Sequence, residues 1–211
     1  VVAQPPSARR DQAGTVTITA GEGARLEWRE NGGEWRAYER PFPFLRSGRI
    51  QARAVYGAPR LFGENGPVAE AVLGLPKTGW RVLSCTGRAV GGSGTAEALV
   101  DDDQPYVVFE GTLPLEVTID LGMVRTVHGF TYLPVDDIFD FCTNLYAYRL
   151  QVSADGKTYV TAAEGEFDNL RNNPLLQVVE FTKEYPVRCF RFAAVSGFET
   201  GRVGIGKISL L

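Results

Sequence analysis

Strict alternation of apolar and polar residues over short runs is the feature that most constrains this chain. In RIQARAVY (Arg49–Tyr56), Ile50, Ala52, Ala54 and Tyr56 fall on one side, with Gln51 and Arg53 on the other. A period of two belongs to a strand with one buried face. TVTITA (Thr15–Ala20) repeats the pattern with Val16 and Ile18, and ARLEW (Ala24–Trp28) with Leu26 and Trp28. The runs are divided by Gly, Pro, Asn and Asp, and 24 glycines with 12 prolines leave little room for long amphipathic helices. The fold class expected is all-β.

Residues 1–13 (VVAQPPSARRDQA) are Pro-rich and polar and are expected to be an extended lead-in or linker. Residues 14–74 form a first unit, a small β-sandwich with a hairpin turn at Asn31-Gly32-Gly33, where positive φ costs little. LGLPKTG (Leu73–Gly79) breaks the periodicity, so residues 75–79 are expected to link the units. The second unit, residues 80–211, carries the strands LEVTIDL (Leu115–Leu121), TVHGFTYL (Thr126–Leu133), YAYRLQVS (Tyr146–Ser153), TYVTAAE (Thr158–Glu164), LQVVEF (Leu176–Phe181), RCFRFAAV (Arg188–Val195) and KISLL (Lys207–Leu211). Tyr146, Tyr148, Leu150 and Val152 share a face, as do Phe190, Phe192 and Ala194. Asp155-Gly156 marks a hairpin. About seven such strands suit a jelly roll, two facing sheets over one core.

The net charge of -3 is too small to imply a nucleic-acid partner or an anionic membrane surface. No apolar stretch approaches the ~20 residues of a membrane span. With Val1 first rather than Met, the chain is expected to be a mature or excised fragment. Cys85, Cys142 and Cys189 are odd in number and lack CxxC spacing, so three reduced, mostly buried thiols are expected. The one histidine, His128, excludes a His-rich metal site, and any Ser/His or Cys/His nucleophile would have to use it. Within its strand it is expected to be a structural or surface residue. Asp101-Asp102-Asp103 and Asp136-Asp137 are the acidic clusters. Neighbouring strand carboxylates face opposite ways, so these read as turns rather than an acid/base pair. The fragment is therefore expected not to be an enzyme. Trp28, Trp35 and Trp80 are expected in core or interdomain packing.

Four landmarks in order carry a resemblance: GFTYLP (Gly129–Pro134), SADGKTY (Ser153–Tyr159), GEFDNLRNNPLLQVVEF (Gly165–Phe181) and CFRFAAVSG (Cys189–Gly197). They resemble the coagulation factor 5/8 C-type, discoidin-like jelly roll, in the form of the family 32 carbohydrate-binding modules of secreted bacterial glycoside hydrolases. The first unit, through LEW, GGEWRAY, PFPFL and GRIQARAVY, is similar to the fibronectin-like chitobiase/hexosaminidase C-terminal module. The tandem, with GFTYLP and GEFDNLRNNPLLQ, looks most like the tail of family 29 α-L-fucosidases.

The resemblance implies a sugar site on loops at one end of the jelly roll. Sugar rings need an aromatic platform, and their hydroxyls need planar donors and acceptors. The candidates are Arg171 and Asn173, with Asn172, for hydroxyls; Asp136 or Asp137 as acceptor; and Phe139, Phe141 or Phe198 as platform. The plainer reading has Asn172 and Asn173 satisfying a turn and the phenylalanines covering the barrel end. The family's binding-loop histidine is absent. The family also implies a structural calcium between an Asp-rich loop, here Ala98–Tyr106, and a Glu in the final strand. Lys207 stands where that Glu is expected. The expectation is a lost calcium site, with the Lys207 ammonium paired to Asp101 or Asp103 and no cofactor. The loop's usual Trp is absent as well.

The function implied is a non-catalytic, glycan-holding accessory region. It would bind a fucose or galactose-type terminal sugar beside an upstream catalytic domain of an α-L-fucosidase-like enzyme that is secreted, periplasmic or on the bacterial cell surface. One alternative is a structural packing or oligomerisation tail with a vestigial sugar site. Another is a cell-surface adhesion module using Ile138, Phe139 and Phe141 as apolar spikes.

Overall fold

A computed structural model describes residues 4–60, 63–137, 140–170 and 172–211; the side chains of residues 57–60, 63–65 and Phe141 are not described. The chain divides into two compact units, one running to Pro76 and one from Lys77 to Leu211. Among the described residues the helical elements are two short 3-10 turns, Ala96–Val100 and Phe141–Thr143. No helix is long and apolar enough to cross a membrane.

The first unit contains β1 (Ser7–Arg10), β2 (Thr15–Thr19), β3 (Arg25–Glu30), β4 (Arg36–Ala37), β5 (Phe42–Pro43), β6 (Gly48–Arg60), β7 (Gly63–Asn65) and β8 (Ala69–Leu73). β1-β2-β5 form one sheet, and β4-β3-β6-β7, with β8 on β6, form the other. Val16, Ile18, Phe44, Ile50 and Ala52 make the core between them. The alternation of Arg49–Tyr56 is realised: Ile50, Ala52, Ala54 and Tyr56 are buried. Ser7–Arg10, expected within the lead-in, instead pairs with β2. Its Arg10 donates to the carbonyls of Phe44, Arg46 and Gly74, which ties the segment into the unit. Trp28 stacks on Phe42 at 4.0 Å. Trp35 lies under the Arg29 and Arg53 guanidiniums rather than in the core.

The second unit contains β9 (Arg81–Cys85), β10 (Arg88–Gly92), β11 (Val107–Glu110), β12 (Leu115–Leu133), β13 (Ala147–Ser153), β14 (Val160–Glu166), β15 (Gln177–Ala194), β16 (Arg202–Ile205) and β17 (Lys207–Leu210). The sequence suggests separate strands at 115–121 and 126–133, and at 176–181 and 188–195. The structure runs each pair into one strand, β12 and β15, whose ladder extends from Leu115↔Ala194 to Tyr132↔Gln177. Register breaks at Asp120/Arg125 and Val127/Gly129 bend this ribbon. Its two halves then face each other: Phe130 lies 6.0 Å from Phe192, and Tyr132 lies 6.2 Å from the same ring. One half is flanked by β9 and by β13-β14, the other by β17, while β10-β11-β16 form a further sheet. The jelly-roll expectation therefore holds. Tyr148, Leu150 and Val152 fill the core as the alternation requires. Trp80 is buried with its edge on Phe190, 5.8 Å away. Cys189 is buried and Cys85 and Cys142 are half-buried, all as free thiols.

The Asp155-Gly156 signal is a tight β13–β14 turn. The Asp155 carboxylate accepts from the Lys157 and Thr158 amides and from Ser153 Oγ. The two amide bonds and the Ser153 bond hold the carboxyl down at about 2.

Candidate functional site

The described residues of three loops, 134–137 with 140–146, 167–170 with 172–176, and 195–201, gather at one end of the jelly roll. The first is fastened by Asn144, whose side chain accepts from the Val135 amide at 2.7 Å and donates to the Val135 carbonyl at 2.9 Å. Asn144 is fully buried, so both ends of its amide need partners, and Val135 supplies them. Tyr132 donates to the Gly204 carbonyl at 3.0 Å and pins β16 to the same base. The loops also hold one another through backbone: Tyr146 donates to the Ser196 carbonyl, Phe167 to Tyr146, and Phe198 to Asn144.

A polar network sits on this frame. Asp140 precedes the 3-10 turn, and its carbonyl accepts from the Thr143 amide and hydroxyl. Its carboxylate accepts from Tyr106 at 3.0 Å on Oδ2 and from Arg202 Nη2 at 3.2 Å on Oδ1. Arg202 Nη1 donates to Glu199 at 3.2 Å. Burial first, and then the hydrogen bond and negative charge of Asp140, push the Tyr106 phenol up to about 12. Asp137 adds to that shift and accepts the Asp140 amide on its carbonyl. An arginine held between two carboxylates, with a phenol donating to one of them, can exchange hydrogen bonds with vicinal hydroxyls.

Aromatic surface stands on the same loops. Phe198 meets Tyr146 edge-to-face at 6.2 Å, and the two are 43% and 39% exposed. Rings this exposed are available to the apolar face of a sugar. The sequence pattern places Tyr146 on the core face of its strand. The strand begins one residue later, at Ala147, so Tyr146 turns outward. The charge of Glu166 and a hydrogen bond to it raise its phenol pKa.

Among the sequence candidates, Asp137 joins the network, Phe198 is an exposed ring, and Asp136 is exposed beside them. Asn172 and Asn173 are exposed but close a turn: both amides donate to the Asn169 carbonyl, and Asn172 Nδ2 donates to Asn169 Oδ1. Asn169 has φ 58, the left-handed conformation Asn tolerates, and the Asn172 side chain is engaged within the turn. Arg171, Phe139 and Ile138 lie outside the described residues, as does the side chain of Phe141. The sequence candidates omit Tyr106, Asp140, Glu199 and Arg202. The signal that could have found them is opposite charge on two loops at the same end of the barrel.

At the Asp-rich loop the expected partners of Lys207 are corrected. Its ammonium is held by the backbone carbonyls of Asp101, Asp102 and Gln104 rather than by the Asp101 or Asp103 carboxylate. The carboxylate pair in this loop belongs to Lys77, 2.7 Å from Asp102. Lys77, expected in the linker, has a fully buried side chain in the second unit. Among the described residues no group of three or more His, Cys, Asp or Glu side chains is placed to hold a metal ion.

The F5/8 type C domain family model matches residues 82–209. No curated protein matches the sequence. Among solved structures, CBM32-5 of Clostridium perfringens GH89, in complex with GalNAc-β-1,3-galactose, aligns with TM-score 0.57 at 23% identity, covering 66% of this chain and 99% of that one. The family 32 carbohydrate-binding module of C. perfringens NanJ, in complex with galactose, aligns with TM-score 0.55 at 18% identity over 65% and 96%. The C-terminal domain of a Bacteroides fragilis chitobiase aligns with TM-score 0.54 at 17% identity over 66% and 97%. At these identities the likeness is one of fold.

Proposed function

The chain belongs to the F5/8 type C domain family, and on that premise we propose that the loop end of its jelly roll binds carbohydrate. The observation that carries this reading is the Arg202 guanidinium, at the start of β16, set between Asp140 and Glu199, whose loops also expose Tyr146 and Phe198. Galactose and GalNAc-β-1,3-galactose, the ligands of two structures with this fold, support a sugar as the ligand class. Arg202, Asp140 and Glu199 supply hydrogen bonds to hydroxyls, Phe198 with Tyr146 supplies the platform, and Asp137 stands behind Tyr106.

The chain is read as non-catalytic. It would hold glycan beside a tethered catalytic domain and so raise the effective substrate concentration there. The wording of GFTYLP and GEFDNLRNNPLLQ supports a parent enzyme of the α-L-fucosidase type, secreted or at the bacterial cell surface. The order of LEW, GGEWRAY, PFPFL and GRIQARAVY in the first unit supports a chitobiase-like accessory module.

The test is an NMR titration of the whole chain with galactose, N-acetylgalactosamine and L-fucose. Saturable shifts are expected with a Kd of roughly 1 mM, about -4 kcal/mol. Arg202→Ala should weaken binding at least roughly tenfold. Lys157→Ala, in the β13–β14 turn, should leave it unchanged. A folded chain that binds none of the three sugars would make the structural-tail reading the better one.

A further inference from the structure

We propose that the Asp101–Gln104 loop takes its structural cation from the protein itself: the ammonium groups of Lys207 and Lys77 stand in the place of a divalent metal, and the domain needs no calcium. The loop has the form of a cation cradle. The Asp103 amide donates to Asp101 Oδ1 at 3.0 Å and the Gln104 amide to the Asp101 carbonyl at 3.3 Å, which curls the backbone. The carbonyls of Asp101, Asp102 and Gln104 then converge on one centre, and that centre is Lys207 Nζ. An ammonium has three N–H donors and no acceptor, so three carbonyls satisfy it fully.

Calcium takes six to eight oxygens and draws on carboxylates as well as carbonyls. Here the Asp102 carboxylate is engaged by Lys77, a residue type almost never fully buried unless paired. The two lysines bring two unit charges, as a divalent ion would. Burial first, and then the neighbouring Lys77, lower the Lys207 pKa from its usual value; the carboxylates of Asp102, Asp101 and Asp103 offset part of that cost. A metal entering this centre would have to displace the Lys207 ammonium from its three carbonyls and would find the Asp102 carboxylate already taken by Lys77. The residues present therefore do not fit calcium.

Amine acylation of the native chain, read by mass spectrometry, tests the arrangement directly. Lys157 and Lys183 are exposed and should react, buried Lys77 should be protected until the chain unfolds, and half-buried Lys207 should react more slowly than Lys157 because its N–H groups are held by carbonyls. Lys207 reacting as fast as Lys157 would overturn the proposal. Thermal melting of the same chain in calcium chloride and in EDTA should give one temperature. A site saturated at a hundred times its Kd would instead raise it on the order of 10 °C, and that rise would sink the idea. Lys207→Met removes the one donor that the three carbonyls share and should lower the melting temperature by roughly 5–10 °C. An unchanged melting temperature would show that the ammonium is no strut.

Discussion

Arg202 reaches Asp140 across 62 residues of sequence, donating from Nη2 to Oδ1 at 3.2 Å. The other oxygen of the same carboxylate takes the Tyr106 hydroxyl. One side chain thus sets the orientation of a donor from each of two neighbouring segments. Asp140→Ala should release both. Because the Arg202 side chain is 36% exposed, the stability cost should be small, about 1 kcal/mol. The glycan affinity should fall roughly tenfold, since the guanidinium loses its fixed plane. Paired NMR titrations and melts of the variant and the parent chain check both parts.

Tyr106 should remain a hydrogen-bond donor far into the alkaline range. Its folded value, about 12, lies above the usual value near 10 for a free tyrosine. A raised value contributes stability that is fully present below pH ~10 and lost as pH rises through about 12. Ultraviolet titration of the parent minus Tyr106→Phe should isolate one late-titrating phenol. Asp140→Asn should move that phenol toward 10, because the carboxylate charge is gone. A Tyr106 midpoint near 10 in the parent chain would contradict the network as described.

Asp120 should be a pH-dependent anchor of the bent ribbon. Its buried carboxylate accepts from Arg81 Nη2 at 2.9 Å, from the Gly122 amide at 2.9 Å and more weakly from Arg188. Burial alone would raise its pKa, but these partners together outweigh burial and lower it. Stability from this group is therefore present above the unfolded value of ~3.9 and lost as pH falls through the folded one. Asp120→Asn should cost about 2 kcal/mol at neutral pH. The gap to the parent chain should close below pH ~4. Denaturant melts at several pH values give the comparison, and a gap that persists in acid would refute the ionic account.

Gly204 should tolerate no side chain. A Cβ there would lie 2.2 Å from Thr143 Oγ1 and 2.7 Å from Val135 Cγ2. Both neighbours belong to the loop that positions Asp140, and both are buried. Gly204→Ala should cost about 1–3 kcal/mol through overpacking. It should also impair glycan binding, because the 3-10 turn must move. Chemical denaturation combined with a galactose titration would detect the two effects; loss of neither would mean that the loop gives way freely.

The sequence reveals the strands because burial on one face imposes a period of two, and Arg49–Tyr56 and Ala147–Ser153 keep it. It conceals the continuity of β12 and β15. Gly122 and Pro186 look like breaks, yet Gly122 falls in the register shift between Asp120 and Arg125, and Pro186 pairs with Thr126 in the short stretch between the two shifts. For the site, Phe198 and Asp137 were readable as an aromatic and an acid in predicted loops. Arg202, Glu199 and Tyr106 were not, because their meaning lies in pairing across the barrel end. Lys77 was hidden by its neighbours: Pro76 and Gly79 mark a linker, and nothing local shows that the side chain turns back to Asp102.

The doubled-over ribbon has a consequence for how this domain comes into being. β12 and β15 each serve both faces of the sandwich, so neither face can assemble while the other stays open. Partners as distant as Leu115 and Ala194 must meet before either layer is complete. Chains dominated by such long-range pairings fold slowly, on the order of milliseconds to seconds. The second unit should accordingly fold and unfold as one cooperative whole, with no half-built sandwich to populate on the way.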